Sequence, residues 1–447
     1  VIVLEKENLR EIFTHYLIPS IASMFSLSLY ILADTFFIAR GVGSLGLTAL
    51  NIIIPAYSVL NATGLLLGIG AGVVFSVARG AGDLRRANQV YNTAFWAAIG
   101  IGILYVIAGR CFSREIAAML GASPQTIGYS VDYLRMVFGF GPFFLLNNTL
   151  GALVRNDNNP RLGMASMIAN SLSNVILDSI FILKFRWGMW GAALATGLSP
   201  VFGLCILSLH WIRRRNSFHL ERCLPNLRLL TGIIRGGSAN FIIEAGNGVV
   251  ILLFNYTLIR LSGDIGVAAY GIVTNIALVI SYLFTGIGQG MQPVVSLRHG
   301  QGRPEDCRTV LYLALKISAV LGVLSFLTGM LLPDRLTALF NSENNTQLAA
   351  ITIPAIRIYF FSFLLMGLNI CCASYFQSTL QAKNAAVISL LRGFGLVILG
   401  VLTLPRLLGL TGIWLISPLA ELCTAILCLY MLYRSAITPA KHRGTPE

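Results

Sequence analysis

The stretch NVILDSIFIL, Asn174 to Leu183, is apolar except for Asn174, Asp178 and Ser179. It closes a longer apolar run from about Leu162 to Leu183, long enough to cross a bilayer as a helix. The whole chain has 447 residues, 56% hydrophobic and only 11% charged. A soluble domain has about a quarter of its residues charged. This much apolar surface cannot be hidden inside a water-soluble fold of this size, so a bilayer is the main solvent. Backbone facing lipid must pair its polar groups internally, which leaves helices or a closed barrel. The apolar runs are long and unbroken and do not alternate with period two. They predict an all-α membrane protein. An aspartate inside such a span, with an asparagine one turn before it, then needs a reason.

Twelve spans are legible, at about 12–39, 45–78, 90–110, 125–153, 162–184, 189–212, 232–260, 265–297, 308–332, 347–376, 385–404 and 410–433. Lys and Arg in the loops orient them. One side collects about twenty, including Arg79, Arg85, Arg86, Arg155, Arg161, the Arg213–Arg215 run, Arg298 and Arg303, with Lys6, Arg222, Lys441 and Arg443 in the same count. The other side has about eight, among them Arg40, Arg110, Lys184 and Arg260. Both termini are therefore expected in the cytoplasm, in the plasma membrane of a bacterium. The net charge of +14 is explained by these loops. A nucleic-acid partner would need a basic soluble domain, and none is seen. The eight cysteines show no paired CxxC or HxxxH spacing, so no zinc site is expected. VIVLEKENLREIF does not read as a cleavable signal, because its charges are mixed.

The longest polar connector, RRRNSFHLERCLPNLRLL from Arg213, falls at mid-chain. It divides the chain into a first lobe (1–212), a linker (213–231) and a second lobe (232–447) that ends in a short tail. The lobes echo each other. GIGAG at Gly68–Gly72 recurs as GIGQG at Gly286–Gly290, and Ser199-Pro200 recurs as Ser417-Pro418, both offset by 218. Such a duplication predicts two six-helix lobes related by an axis along the membrane normal, with a substrate site between them. No strand precedes GIGAG and no GK[ST] follows it, so these glycines read as close helix packing, not as a phosphate loop.

A carboxylate near the bilayer centre costs at least ~2.5–3.5 kcal/mol on insertion scales. Among the acids, Asp34, Asp178 and Glu244 lie well inside spans; Asp132 and Glu421 are weaker cases nearer a boundary. Asp34, Asp178 and Thr196 fall at one depth, roughly 8–11 Å below the outer boundary at 1.5 Å per residue. Asn174 shares the face of Asp178 one turn away. Two carboxylates, an amide oxygen and a hydroxyl can hold Na⁺, or one carboxylate can take up a proton beside its like-charged neighbour. A buried hydrogen-bonding cluster that only ties helices together is the alternative. In the second lobe, Glu244 shares a face with Asn240 and Asn247, a polar stripe suited to a cationic substrate or to structure alone. The site is not duplicated, because the offset maps Asn174 to Arg392 and Asp178 to Leu396.

LADTFFIA around Asp34, NVILDSIFI with Thr196 in WGAALAT, and GQGMQPVVSLRHGQG with Gln292-Pro293 together resemble the multidrug and toxic compound extrusion (MATE) transporters, in their DinF-like branch. The resemblance runs from about residue 10 to 434. It implies two six-helix lobes forming a V around a central cavity. It also implies antiport: H⁺ or Na⁺ enters while an organic compound leaves by alternating access. Carried over by position, Asp34, Asn174, Asp178 and Thr196 match its cation site, which is also the possible Na⁺ site. Glu244 supplies a second-lobe acid in the seventh span, and the tenth span has none. Pro19 weakens the backbone ladder of the first span and is expected to act as a hinge. Glu244, Asn240, Asn247 and Gln292 are expected at the substrate. No cofactor beyond the coupling ion and no enzyme activity is expected; no Ser-His-Asp set, HExxH or GxSxG is present. The partners expected are small organic molecules and the bilayer, with the chain acting as a monomer. The rival within the superfamily is a flippase for lipid-linked saccharides or peptidoglycan precursors. It would favour a more basic cavity, and Arg135, Arg357 and Arg392 in or near spans speak for it.

Overall fold

A computed structural model describes residues 8–221, 226–341 and 345–437. Lys6, Arg222, Lys441 and Arg443, and the tail beyond Ile437, lie outside the described residues. Every regular element among the described residues is helical. The first lobe runs Leu9–Gly41, Ser44–Gly80, Leu84–Cys111, a pair Ile127–Gly139 and Gly141–Asn156 bent by 50°, Pro160–Lys184 and Gly188–Ile212. The second runs Leu227–Gly263, Ile265–Gly300, Pro304–Leu331, Thr346–Ser378 and Ala382–Ser435. This last segment is broken at Gly409, whose φ of +57° is open to glycine but not to a helical residue. The break makes it the eleventh and twelfth spans. Gly263, at φ +60°, likewise separates the seventh from the eighth.

Each lobe has its own apolar core. One gathers Phe75, Tyr91, Phe138, Leu145 and Ile182; the other gathers Phe284, Phe360, Phe363, Phe376 and Trp414. Two spans cross over. Phe13, Tyr16 and Leu17 at the start of the first span pack in the second core. Ile233, near the start of the seventh, packs in the first. Glycines permit this crossing. A Cβ on Gly70 would come within 2.0 Å of the Ile233 carbonyl oxygen, and one on Gly290 within 2.8 Å of Leu17 Cα. The repeated GIGxG motif is therefore where each lobe grips the other, at the end of the molecule that carries Arg79 and Arg298.

The stretch read as linker is shorter and better anchored than its charges suggest. The seventh-span helix starts at Leu227, capped by the Asn226 side chain. Before it, residues 217–221 lie along the first lobe. Asn88 Oδ1 accepts from His219 N at 2.7 Å, and Asn92 Oδ1 accepts from Glu221 N at 2.6 Å. Asn92 Nδ2 donates to His219 O and Trp96 Nε1 to Glu221 O, both at 2.9 Å. Buried Asp157 accepts from Arg79, from Ser217 N at 2.8 Å and from the Ser217 hydroxyl, and contacts His210 Nε2 at 2.9 Å. Side chains of the third span thus satisfy backbone groups of a segment that belongs to no helix.

Candidate cation site and central cavity

Asp34, Asp178 and Thr196 lie seven, six and eight residues from the ends of their helices at Gly41, Lys184 and Gly188. The fifth and sixth spans are joined by a tight turn, with Arg186 at φ +56° and Gly188 at φ +59°. This turn sets Asp178 level with Thr196. Stacked and edge-on rings of Phe181, Phe185, Trp187 and Trp190 surround it, as expected of an aromatic belt at a membrane boundary. Directly after Asp178 the helix widens into a π-helical turn, Ser179–Lys184, a feature frequent at functional sites.

The structure brings the four predicted residues together. Asp178 and Asn174 are fully buried, Thr196 is 2% exposed and Asp34 9%. Asn174 Nδ2 lies 3.5 Å from Thr196 Oγ1. The carboxyls of Asp34 and Asp178 are electrostatic neighbours, and two carboxyls can share a hydrogen bond only if one of them carries a proton. Asp34 Oδ1, both oxygens of Asp178 and Asn174 Oδ1 are buried and accept no hydrogen bond. Two full charges about 4 Å apart would repel by roughly 4 kcal/mol at an effective dielectric of 20. The set therefore favours a bound proton or small cation over two bare charges. Among the described residues no group of three or more acids, histidines or cysteines forms a multivalent-metal site.

Three tyrosines that the sequence reading passed over complete this wall. Tyr30 lies one turn before Asp34, and its hydroxyl is 3.3 Å from that of Tyr57. Tyr133 neighbours Thr196. Tyr30, Tyr57 and Thr196 also line a cavity of about 540 Å³ between the lobes. The acid pair sits behind them. The i, i+4 spacing of Tyr30 and Asp34 was a usable signal; Tyr133 depends on the bend of the fourth span and left none.

Both lobes line the cavity. Its walls hold Met24, Met164, Met167 and Met366, and the rings of Phe144, Phe254, Tyr270 and Tyr282. Asn240, Glu244, Asn247 and Gln292 all face it. Glu244 accepts from Asn61 Nδ2 at 3.0 Å, across the lobes at mid-depth. Asn240 accepts from Gln377 at 2.7 Å. Gln292 and Asn156 exchange amide hydrogen bonds of 3.0 and 3.3 Å, which join the lobes near the Arg-bearing end. Pro19 also lines the cavity, inside an unbroken first-span helix, and Ser23 Oγ donates to its carbonyl at 2.7 Å.

Two assignments change. Arg155, counted above as a loop residue, sits in the last turn of its helix and lines the cavity, donating to Gln289 Oε1 at 2.8 Å. Glu421, read as a boundary acid, is 4% exposed and ion-paired with Arg392 at 2.7 Å, with Asn369 Nδ2 donating to it at 2.6 Å. The cavity wall thus carries two guanidiniums, Arg155 and Arg392, and two carboxyls, Glu244 and Glu421. Arg135 bonds Ser113 at 3.1 Å within the first lobe, and Arg357 is exposed; neither is among the cavity-lining residues.

The MatE family model matches residues 19–180 and 248–402. The multidrug export protein MepA of Staphylococcus aureus (strain MSSA476) is 26% identical over 435 residues, covering 96% of this chain and 95% of its own. MepA of Staphylococcus saprophyticus is 26% identical over 435 residues, 96% of this chain and 94% of its own. Among solved structures, an outward-facing multidrug resistance MATE family transporter superposes with a TM-score of 0.90 at 21% identity, covering 96% of this chain and 97% of that one. A MOP superfamily transporter from Pyrococcus furiosus, described as having a binding pocket of reverse polarity, gives 0.88 at 22% identity, covering 96% of each chain.

Proposed function

This chain belongs to the MatE family of membrane transporters, and we propose that it is a secondary multidrug exporter that exchanges an organic compound for H⁺ or Na⁺. The observation that carries this reading is the acid pair: two buried carboxyls, three of whose four oxygens are buried without donors, one tyrosine layer away from a large cavity. Asp34, Asp178, Asn174 and Thr196 would hold the coupling cation as hard oxygen ligands or share its proton. The basic end faces the cytoplasm by the positive-inside rule, with both termini there, in a bacterial plasma membrane. The lobe contacts at Gly70, Gly290 and Gln292 then seal the cytoplasmic side, and the cavity serves release outward.

Loading a cation from outside removes the repulsion between Asp34 and Asp178. The first span is free to repack, bending at Pro19, where the ring removes one ladder hydrogen bond. Tyr30, one turn from Asp34 and exposed to the cavity, carries that movement to the substrate. Methionine and aromatic walls suit flat amphipathic compounds, cations included, and Glu244 and Asn247 meet polar groups. The protein acts as a monomer in this scheme, since one chain supplies both lobes. Its charge balance argues against the flippase reading, which calls for a basic cavity: Glu421 neutralises Arg392, and Arg135 and Arg357 are elsewhere.

The test is exchange of a fluorescent organic cation in proteoliposomes, with pH and Na⁺ gradients imposed separately. One gradient drives accumulation against the dye's own gradient; if neither does, the coupled-export reading is wrong.

A further inference from the structure

Arg155 is a buried charge that the cation site does not use. It ends a helical stripe of Phe144, Asn148, Gly151 and Arg155, spaced three or four residues apart, and all four line the cavity. Its Nη1 donates to Gln289 Oε1 at 2.8 Å. Its Nε is buried without an acceptor. None of the five ion pairs among the described residues includes it. Arg392 differs, because Glu421 holds it in place. A guanidinium offers five donors in a planar fork that matches a carboxylate, and a buried cation without a counter-charge is costly.

Gln289 belongs to the eighth span, in the other lobe. Its amide oxygen is neutral and takes one donor of the fork. We propose that Arg155 is a carboxylate-binding subsite of the cavity, and that Gln289 takes the carboxylate's place when the basic end is closed. The proposal rests on the alternating-access reading above. When the lobes part at the basic end, Gln289 moves away with its lobe. Arg155 then faces the cytoplasm with its donors free and captures the carboxylate of an incoming compound. On closure Gln289 returns, competes for Nη1 and weakens the hold on the anion, so release to the outside follows. Glu244, at mid-depth on the other lobe, meets a positive group on the same molecule. The substrate class is an amphipathic aromatic compound carrying a carboxylate, alone or with an amine.

The test uses the full chain in proteoliposomes and two probes, a rhodamine with a free carboxylate and its methyl ester. The ratio of their initial transport rates is read. In Arg155→Gln the carboxylate-to-ester ratio falls about ten-fold, the effect of one charge-assisted hydrogen bond. Arg155→Lys, which keeps a point charge, restores part of it. Gln289→Ala removes the competitor, so equilibrium binding of the carboxylate tightens relative to the ester; this measurement stands even if Arg155→Gln fails to fold. An unchanged ratio in Arg155→Gln, or unchanged relative binding in Gln289→Ala, overturns the subsite. Wild-type protein that moves neither probe overturns the export reading itself.

Discussion

In the first lobe Asp34 and Asp178 face each other, and their buried oxygens lack donors. In the second lobe the 218-residue offset puts Arg392 where the first has Asn174, and Arg392 is ion-paired with Glu421. Both sites adjoin a π-helical turn, Ser179–Lys184 in one lobe and Leu391–Gly395 in the other. The same backbone device thus frames opposite electrostatics. One lobe keeps two neighbouring acids with no basic partner in any ion pair among the described residues. The other supplies its own counter-charge. The two lobes share their packing glycines, while the proposed coupling falls to the first alone.

That contrast can be broken by mutation. Glu421→Gln leaves the Arg392 guanidinium in a mostly buried site without its charge partner, and the loss of stability is about 3 kcal/mol. Replacing both partners with methionine recovers most of it. In the first lobe the sign reverses. Asp178→Asn removes the repulsion and supplies an amide donor to an orphaned oxygen, so stability rises by roughly 1–2 kcal/mol, as sites under functional strain do when relaxed. Thermal unfolding in detergent reads both, and equal signs in the two lobes would undo the comparison. A more local effect concerns the connection between the lobes. Asn92→Ala deletes the hydrogen bonds to His219 and Glu221, costs about 1–2 kcal/mol locally, and makes residues 217–221 quicker to cleave in limited proteolysis.

The spans were legible because charge and length alone decide what can lie in lipid. Their ends were less so. The third helix starts at Leu84, capped by Asp83, well before the apolar run begins, because apolarity reports the bilayer and not the helix. The acid set was legible for the same reason as the spans: Asp34 and Asp178 are expensive where they are, and helical spacing put Asn174 beside Asp178. Arg155 was not, since a basic residue next to the loop NDNNP looks like any other loop charge. Only the 50° bend in its span and the approach of Gln289 turn it into the cavity. Glu421 stayed obscure because its partner lies 29 residues away on a neighbouring span. The linker's anchoring to Asn88 and Asn92 was hidden too, since polar residues on a span's first turns normally face water.

The central claim is that the acid pair of the first lobe couples the cation to export. Asp34→Asn and Asp178→Asn proteins in proteoliposomes test it directly, by comparing gradient-driven dye accumulation with dye binding at equilibrium. Each variant is expected to bind dye still and to accumulate it no further than protein-free vesicles do. Accumulation at the wild-type level in either variant would contradict that claim.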